Sequence, residues 1–267
     1  MPPITVVTPC LNAVSTVREC LDSVRSQGYP AVEHVVVDGG STDGTLEILE
    51  AAEGITWVSE PDDGRTDAAN KGFRMSSGEI IAWLNADDRY EPGALREVGK
   101  AFAAEPEAMW ATGYCRIIDA GGMEVRRPIT GYKNFLLRRW SLSLYLTQNF
   151  VSDPATFVRR TALEEVGLLS SRYRMSHDYD LWLRVAARWD PIVLRRTLAC
   201  FRMAEGSMSM AGFEHQFREH AEVARLNGDG HPLPVAANAM ISWMIVFVYR
   251  LLRLARRRRQ ADPSTAR

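Results

Sequence analysis

Short β-branched runs alternate with amphipathic stretches through the first hundred residues. Residues 4–8 (ITVVT) form an unbroken run ending at Pro9, the pattern of a buried strand. Ser15 is then placed to cap a helix whose apolar residues Val17, Cys20, Leu21 and Val24 fall at i, i+3, i+4 and i+7. Gly28 and Pro30 stop that helix. Residues 32–37 (VEHVVV) predict a second strand, and Leu46, Ile48 and Leu49 mark a second helix. A third strand is expected over 56–59, before the turn Pro61-Asp62-Asp63-Gly64. A helix over 67–75, with Asp67 and Lys71 as an i,i+4 pair, ends at Gly78. Residues 80–84 (IIAWL) predict a fourth strand running into Asn85-Ala86-Asp87-Asp88.

Strands alternating with helices imply an α/β fold: a doubly wound, mostly parallel sheet with flanking helices. In such sheets ligands bind beyond the carboxyl ends of the strands. Those ends carry Thr8-Pro9, Asp38, Glu60 and Asp87-Asp88, so acidic side chains gather on one rim. Beyond residue 106 the pattern loosens to a strand over 110–118, an Arg- and aromatic-rich stretch over 138–150 and a helix over 178–189. The expected organisation is two halves of one domain, over 1–105 and 106–230, followed by an apolar and basic helical tail over 231–267.

Charge changes the picture only when it is divided. The 267 residues carry a net charge of −1, but residues 250–267 hold seven Arg and one Asp, a net +6, leaving −7 for the rest. An acidic body is the wrong partner for nucleic acid. Cys10, Cys20, Cys115 and Cys200 have no CxxC spacing and read as small apolar residues in a reducing compartment. Met1-Pro2-Pro3-Ile4 lacks the basic and apolar regions of a secretory leader, so a cytoplasmic location is expected.

Carboxylates crowded on a strand rim need a cation. An oxygen-only set suits Mg²⁺ or Mn²⁺, held by one or two carboxylates and substrate phosphates. No GxGxxG follows the first strand and no GxxxxGK[ST] occurs, which disfavours dinucleotide oxidoreductases and P-loop NTPases.

The segments ITVVTPCLNA, VVVDGGSTDGT, NKGFRMSSGEIIAWLNADD and HDYDLWLR, in this order, resemble a family 2 glycosyltransferase of the GT-A fold. The stretch SEPDDGRTDAANKG is similar to bacterial members that build cell-surface polysaccharides. The resemblance covers roughly residues 1 to 210 and implies an inverting, metal-dependent transfer of a sugar from a nucleotide diphosphate, UDP foremost, to an acceptor hydroxyl.

It implies that Thr8, Pro9 and Asn12 line the nucleotide pocket and that Asp38 contacts the nucleoside, although Asp before Gly also makes an Asx turn. Asp67 reaches the nucleotide or caps its helix; Arg65 and Lys71 meet phosphate, or Lys71 pairs with Asp67. Asp87 contacts ribose or metal, and Asp88 is the main metal ligand. Asn85 stands where the commoner motif has Asp, which weakens any ligand role for it. Asp178 takes the place of the catalytic base, since a carboxylate ionised at neutral pH can accept the acceptor's proton late in the reaction. Asp180 reads as complementing the helix dipole, and His177 as structural or tuning the site. Arg202 resembles an arginine near the donor pyrophosphate, while Ala204 stands where some members have a histidine. Gln148, Asn149 and residues 153–156 are expected on the acceptor side.

Residues 236–249 are largely apolar and precede an arginine cluster. Their 14 positions fall short of the roughly 20 needed to span a bilayer, so an interfacial helix over 236–259 against anionic lipid is expected, with a core-packing or oligomerising helix as the other reading. It would hold the enzyme on the cytosolic face of an inner membrane, near a glycan or lipid-linked acceptor. Rival functions are a nucleotidyltransferase, which would want a Gly-rich phosphate loop that Cys10-Leu11-Asn12 does not provide, and a non-catalytic nucleotide-sugar-binding protein.

Overall fold

β1 (Ile4–Cys10), β2 (Val32–Asp38), β3 (Thr56–Ser59) and β4 (Ile80–Trp83) form the parallel half of one sheet in the order β3-β2-β1-β4. The structure is a computed structural model describing residues 1–203 and 213–261, with the side chains of 213 and 252–261 outside the description. All seven residues of β1 are buried, as a strand covered on both faces requires. β1 runs two residues further than the apolar pattern suggests, through Pro9, which pairs in register with Val37. On its other side, β1 is matched to β4 only from Ile4 to Val7. Pro9, having no N–H, thus sits where β4 has already turned away, and the sheet opens there.

The crossovers are α1 (Val17–Arg25), α2 (Thr45–Glu50) and α3 (Arg65–Met75). Thr16 rather than Ser15 occupies the cap position of α1, without a side-chain cap bond. α3 begins at Arg65, two residues before the expected start, because Gly64 takes the cap position with φ 101°. Gly72 lets α3 sit on β1, since a Cβ there would run into the Val7 side chain.

The second half is mixed. β5 (Arg89–Tyr90), α4 (Ala94–Ala104), β6 (Trp110–Ile118) and β7 (Glu124–Val125) lead into α5 (Arg127–Leu137) and α6 (Leu142–Thr147). β8 (Thr156–Arg159), α7 (Arg160–Val166), α8 (His177–Ala186) and β9 (Ile192–Arg202) follow. β8 inserts antiparallel between β4 and β6, and the order continues β8-β6-β9-β5. The two halves therefore share one sheet and no linker separates them. The four cysteines are buried and free.

α9 (Phe213–Asn227) and α10 (Pro232–Ala261) close the chain. Here the 14-residue reading is corrected: Pro232–Leu251 is a continuous 20-residue helical stretch of mean hydropathy 1.5, long and apolar enough to cross a membrane by length and composition. The helix extends four residues before 236 because Leu233, Pro234 and Val235 join its first turn.

Candidate active site

Asp38 ends β2 fully buried. Its Oδ2 accepts from the backbone N–H of Gly40 and Ser41, both at 2.9 Å, and from Ser59 Oγ at 2.7 Å; its Oδ1 accepts from Ser41 Oγ. The Asx turn is thus present, and this carboxylate shapes the loop beside it. Asn12, in the left-handed region at φ 48°, completes that loop by accepting from Thr42 N and donating its own N–H to Ser41 Oγ. Thr8 points inward, fully buried, with Oγ1 2.9 Å from His34 Nε2. Its side chain belongs to the core rather than to an open pocket, because alternate residues of β1 face opposite ways. Asp67 is exposed in the first turn of α3 and accepts from Asp63 N–H at 3.4 Å. Lys71 pairs with Glu60, not with Asp67.

After β4 the chain turns sharply, and Asp87 and Asp88 part company. Asp87 is exposed, whereas Asp88 is 1 % exposed. Asp88 Oδ1 accepts from Arg202 N–H at 2.8 Å and Oδ2 from Asn85 Nδ2 at 2.9 Å. Loss of hydration, then the neighbouring Asp87 charge, push its pKa well above the usual carboxylate range. The side chain of Asp88, expected as the main metal ligand, is thus turned into the protein, and the exposed carboxylate of the pair is Asp87.

Arg202 requires a second correction. It is 4 % exposed and its guanidinium is held from within: Nε donates to Asp87 O, Nη1 to Asp119 O and Ala120 O, and Nη2 to Glu19. With four of its five N–H groups bound in this way, it fastens the Asp87-Asp88 loop, a role other than the expected contact with a pyrophosphate. Ala204 lies outside the described residues.

Asp178 stands in the first turn of α8. Asn149 Nδ2 donates to its Oδ2 at 3.1 Å, and Asn149 Oδ1 in turn accepts from Tyr145 OH at 3.3 Å. Asp178 Oδ1 is buried without a hydrogen-bond partner among the described residues. Two residues on, Asp180 is buried and committed to Arg184 and Asn227. Glu219 of α9 holds the loop before α8 by accepting from Arg174 N–H at 2.9 Å and Met175 N–H at 2.8 Å.

A cleft of about 790 Å³ includes Asp178 in its wall. Asn85 and Arg65, Asp153, Lys133 and Asn149, and the apolar or aromatic Phe217, Ile245 and Tyr249 also line it, whereas Asp38 and Asp87 are not among its lining residues. Arg65 lies over the Trp83 ring at 5.8 Å and has Nη2 3.4 Å from Nε2 of His177, which stacks on Trp83 at 5.4 Å. Burial, then the Arg65 charge, lower the His177 pKa to about 4, so the ring is neutral at neutral pH. Asp153 accepts from Trp182 Nε1 at 2.8 Å. Burial and the nearby Asp178 raise it to about 8. Lys133, donating to Ser152 Oγ at 3.1 Å, is lowered by burial. Sequence reasoning placed Asp153 on the acceptor side but missed Lys133 and the Trp83–His177–Arg65 stack, because those residues meet only through tertiary packing. Asn85 Oδ1 is buried, lines the cleft and has no partner among the described residues.

Residues 5–167, more than half of the chain, match the family model described as "Glycosyl transferase family 2". The chain belongs to that family. Among its family 2 relatives, the uncharacterized glycosyltransferase Rv1514c of Mycobacterium tuberculosis is 30% identical over 206 residues, 75% of each chain. The O-antigen biosynthesis protein RfbC of Myxococcus xanthus is 35% identical over 197 residues, 69% of this chain but 14% of that much longer one. A PGL/p-HBAD biosynthesis glycosyltransferase of Mycobacterium bovis is 31% identical over 68% of this chain and 69% of its own. Two solved glycosyltransferases share the GT-A fold. The mannosyltransferase PcManGT of Pyrobaculum calidifontis, in complex with GDP-Man and Mn²⁺, superposes with a TM-score of 0.67, 23% identity, and coverage of 89% of this chain and 69% of that one. S. aureus TarS 1-349 with UDP-GlcNAc gives 0.63, 19%, 83% and 66%.

Proposed function

We propose that this family 2 glycosyltransferase is an inverting enzyme that moves a sugar from a nucleotide diphosphate, UDP foremost, to an acceptor hydroxyl in surface polysaccharide or glycolipid synthesis. The single observation that carries the reading is Asp178: a carboxylate held by Asn149 in the wall of a cleft that Asn85 and Arg65 also line. Asp178 accepts the proton of the acceptor hydroxyl as that oxygen attacks the anomeric carbon from the face opposite the leaving diphosphate, which inverts the configuration. Asn149 fixes the rotamer of the base. Arg65, in the cleft and backed by Trp83, faces the departing phosphates with a charge that cannot be lost. Asp38, Asn12 and Pro9 shape the nucleoside end, Asp38 by holding the loop against which the base rests.

The rim fits a divalent cation. Among the described residues no three His, Cys, Asp or Glu side chains converge as a complete cage. Mg²⁺ and Mn²⁺ need none, because one or two carboxylates and the substrate phosphates suffice. Asp87 would bind Mn²⁺ or Mg²⁺, the orphan Asn85 Oδ1 would complete the oxygen set, and Asp88 would support the loop from inside. When bound, such an ion supplies Lewis-acid neutralisation of the leaving diphosphate, worth several kcal/mol.

The apolar face of α10 and the arginines that follow it support residence at an anionic membrane surface on the cytosolic side. Calorimetry with UDP, with and without Mn²⁺, tests the donor reading. Asp178→Ala should keep UDP binding and lose transfer; a fully active variant removes the proposed base.

A further inference from the structure

α10 is amphipathic in the inverse sense. Two polar side chains of its first half face the protein. Asn238 and Ser242 are buried, with Asn238 Nδ2 donating to Leu146 O at 2.9 Å and to Tyr179 OH at 3.2 Å, and Ser242 Oγ donating to Asn238 Oδ1 at 3.2 Å. Its apolar side chains face outward: Leu233, Met240, Trp243, Met244, Phe247 and Leu251 recur at helical spacing on one face, with Leu233 81% and Trp243 68% exposed. Contiguous exposed apolar surface of this kind marks a membrane or partner site.

Charge decides between them. Arg253 and the four arginines at 256–259 follow the stripe in sequence, the arrangement that anionic headgroups attract, while Arg250 pairs with Glu214 at 2.7 Å. The helix lies along the surface rather than crossing it, because Asn238, braced by Ser242 of the same helix, ties its first half to α6 and α8 and leaves too short a remainder to span. The next side of the same helix supplies Ile245 and Tyr249 to the lining of the same cleft, together with Ile129, Tyr132 and Phe217. One cleft is thus lined both by the charged residues around Asp178 and by apolar residues of the helix that carries the stripe.

We propose that α10 rests in the bilayer surface and that the acceptor is an amphipathic lipid. Its chain is held where α10 lines the cleft and its head reaches Asp178. The substrate class rests on the reading of Asp178 as the base; the surface does not.

The test uses the full chain with phosphatidylcholine vesicles, with and without phosphatidylglycerol, doped with a phospholipid bearing a diazirine in its acyl chain. The chain should float with the anionic vesicles. Photolysis should label peptides containing Trp243 and Phe247 and also those containing Ile129, Tyr132 and Phe217. Trp243→Asp combined with Phe247→Asp should lose flotation with an unchanged melting temperature. Should that double variant misfold, Met240→Glu, read the same way, replaces it. Wild-type flotation of the folded stripe variants, or a dimer in sedimentation that leaves the stripe unlabelled, overturns the surface. Label confined to the stripe overturns the lipid acceptor. Asp178→Ala should float and label as the wild type does, so failure of the catalytic reading appears in transfer assays alone.

Discussion

Asn149 Nδ2 lies 3.1 Å from Oδ2 of Asp178, joining the residue just beyond α6 to the first turn of α8 across the cleft. An amide cannot take the proton that a base must take, so its part is to hold the carboxylate still. Asn149→Ala should lower kcat roughly tenfold to a hundredfold with little change in the donor KM, as expected for a displaced group. Asp178→Asn should cost about 10²–10⁴ in kcat. Steady-state kinetics on both variants separate the roles, and equal losses would argue against a positioning role for Asn149.

Asp87 and Asp88 should separate just as cleanly. Asp87→Asn is expected to abolish the Mn²⁺ dependence of nucleotide binding while leaving stability within about 0.5 kcal/mol, since the side chain is exposed. Asp88→Asn keeps only one of the two oxygens that accept from Arg202 N–H and Asn85 Nδ2, leaves the other donor facing an NH2 group, and should lower the melting temperature. Calorimetry and thermal melts read the two effects.

Arg202→Ala would leave the carbonyls of Asp87, Asp119 and Ala120 without this donor, while Glu19 keeps Arg89. A loss of about 1–3 kcal/mol for each buried carbonyl left unpaired is the scale expected. Arg202→Lys should recover little of it, because a single ammonium cannot serve carbonyls spread around a planar fork. Urea unfolding measures this; a variant with native stability and weakened donor binding would instead return Arg202 to the pyrophosphate.

Asp153 makes stability depend on pH. Its folded pKa is raised to about 8 by burial and by Asp178, against about 3.9 in an unfolded chain. The native state therefore holds a proton that the unfolded state has released, and stability falls as pH rises from about 4 to about 8. Asp153→Asn should flatten that decline, seen as urea midpoints at pH 5, 7 and 9 that converge relative to wild type.

The parallel half was legible because each strand there is a short β-branched run closed by turn residues, and β3 (Thr56–Ser59) and β6 (Trp110–Ile118) match their expected ranges. β9 hides its strand character behind Arg195 and Arg196, which lie exposed in the middle of Ile192–Arg202. β8 is four residues long and is recruited antiparallel by β4 and β6, a pairing no local pattern announces. The motif positions of Asp38, Asp87, Asp88 and Asp178 were readable, but not which way each points. Arg202 shows why: an arginine near an acidic loop reads the same whether it grips a ligand or its own backbone, and only the count of its filled donors decides.

The loop that carries Asp87 and Asp88 is held by Arg202, 114 positions later in the chain. A ribosome finishes β4 long before it delivers that arginine, so a nascent chain halted before the end of β9 has its strands but no fastened donor rim. On the donor reading proposed above, sugar-nucleotide capture is a property that synthesis would confer late, once nearly the whole sheet has been made.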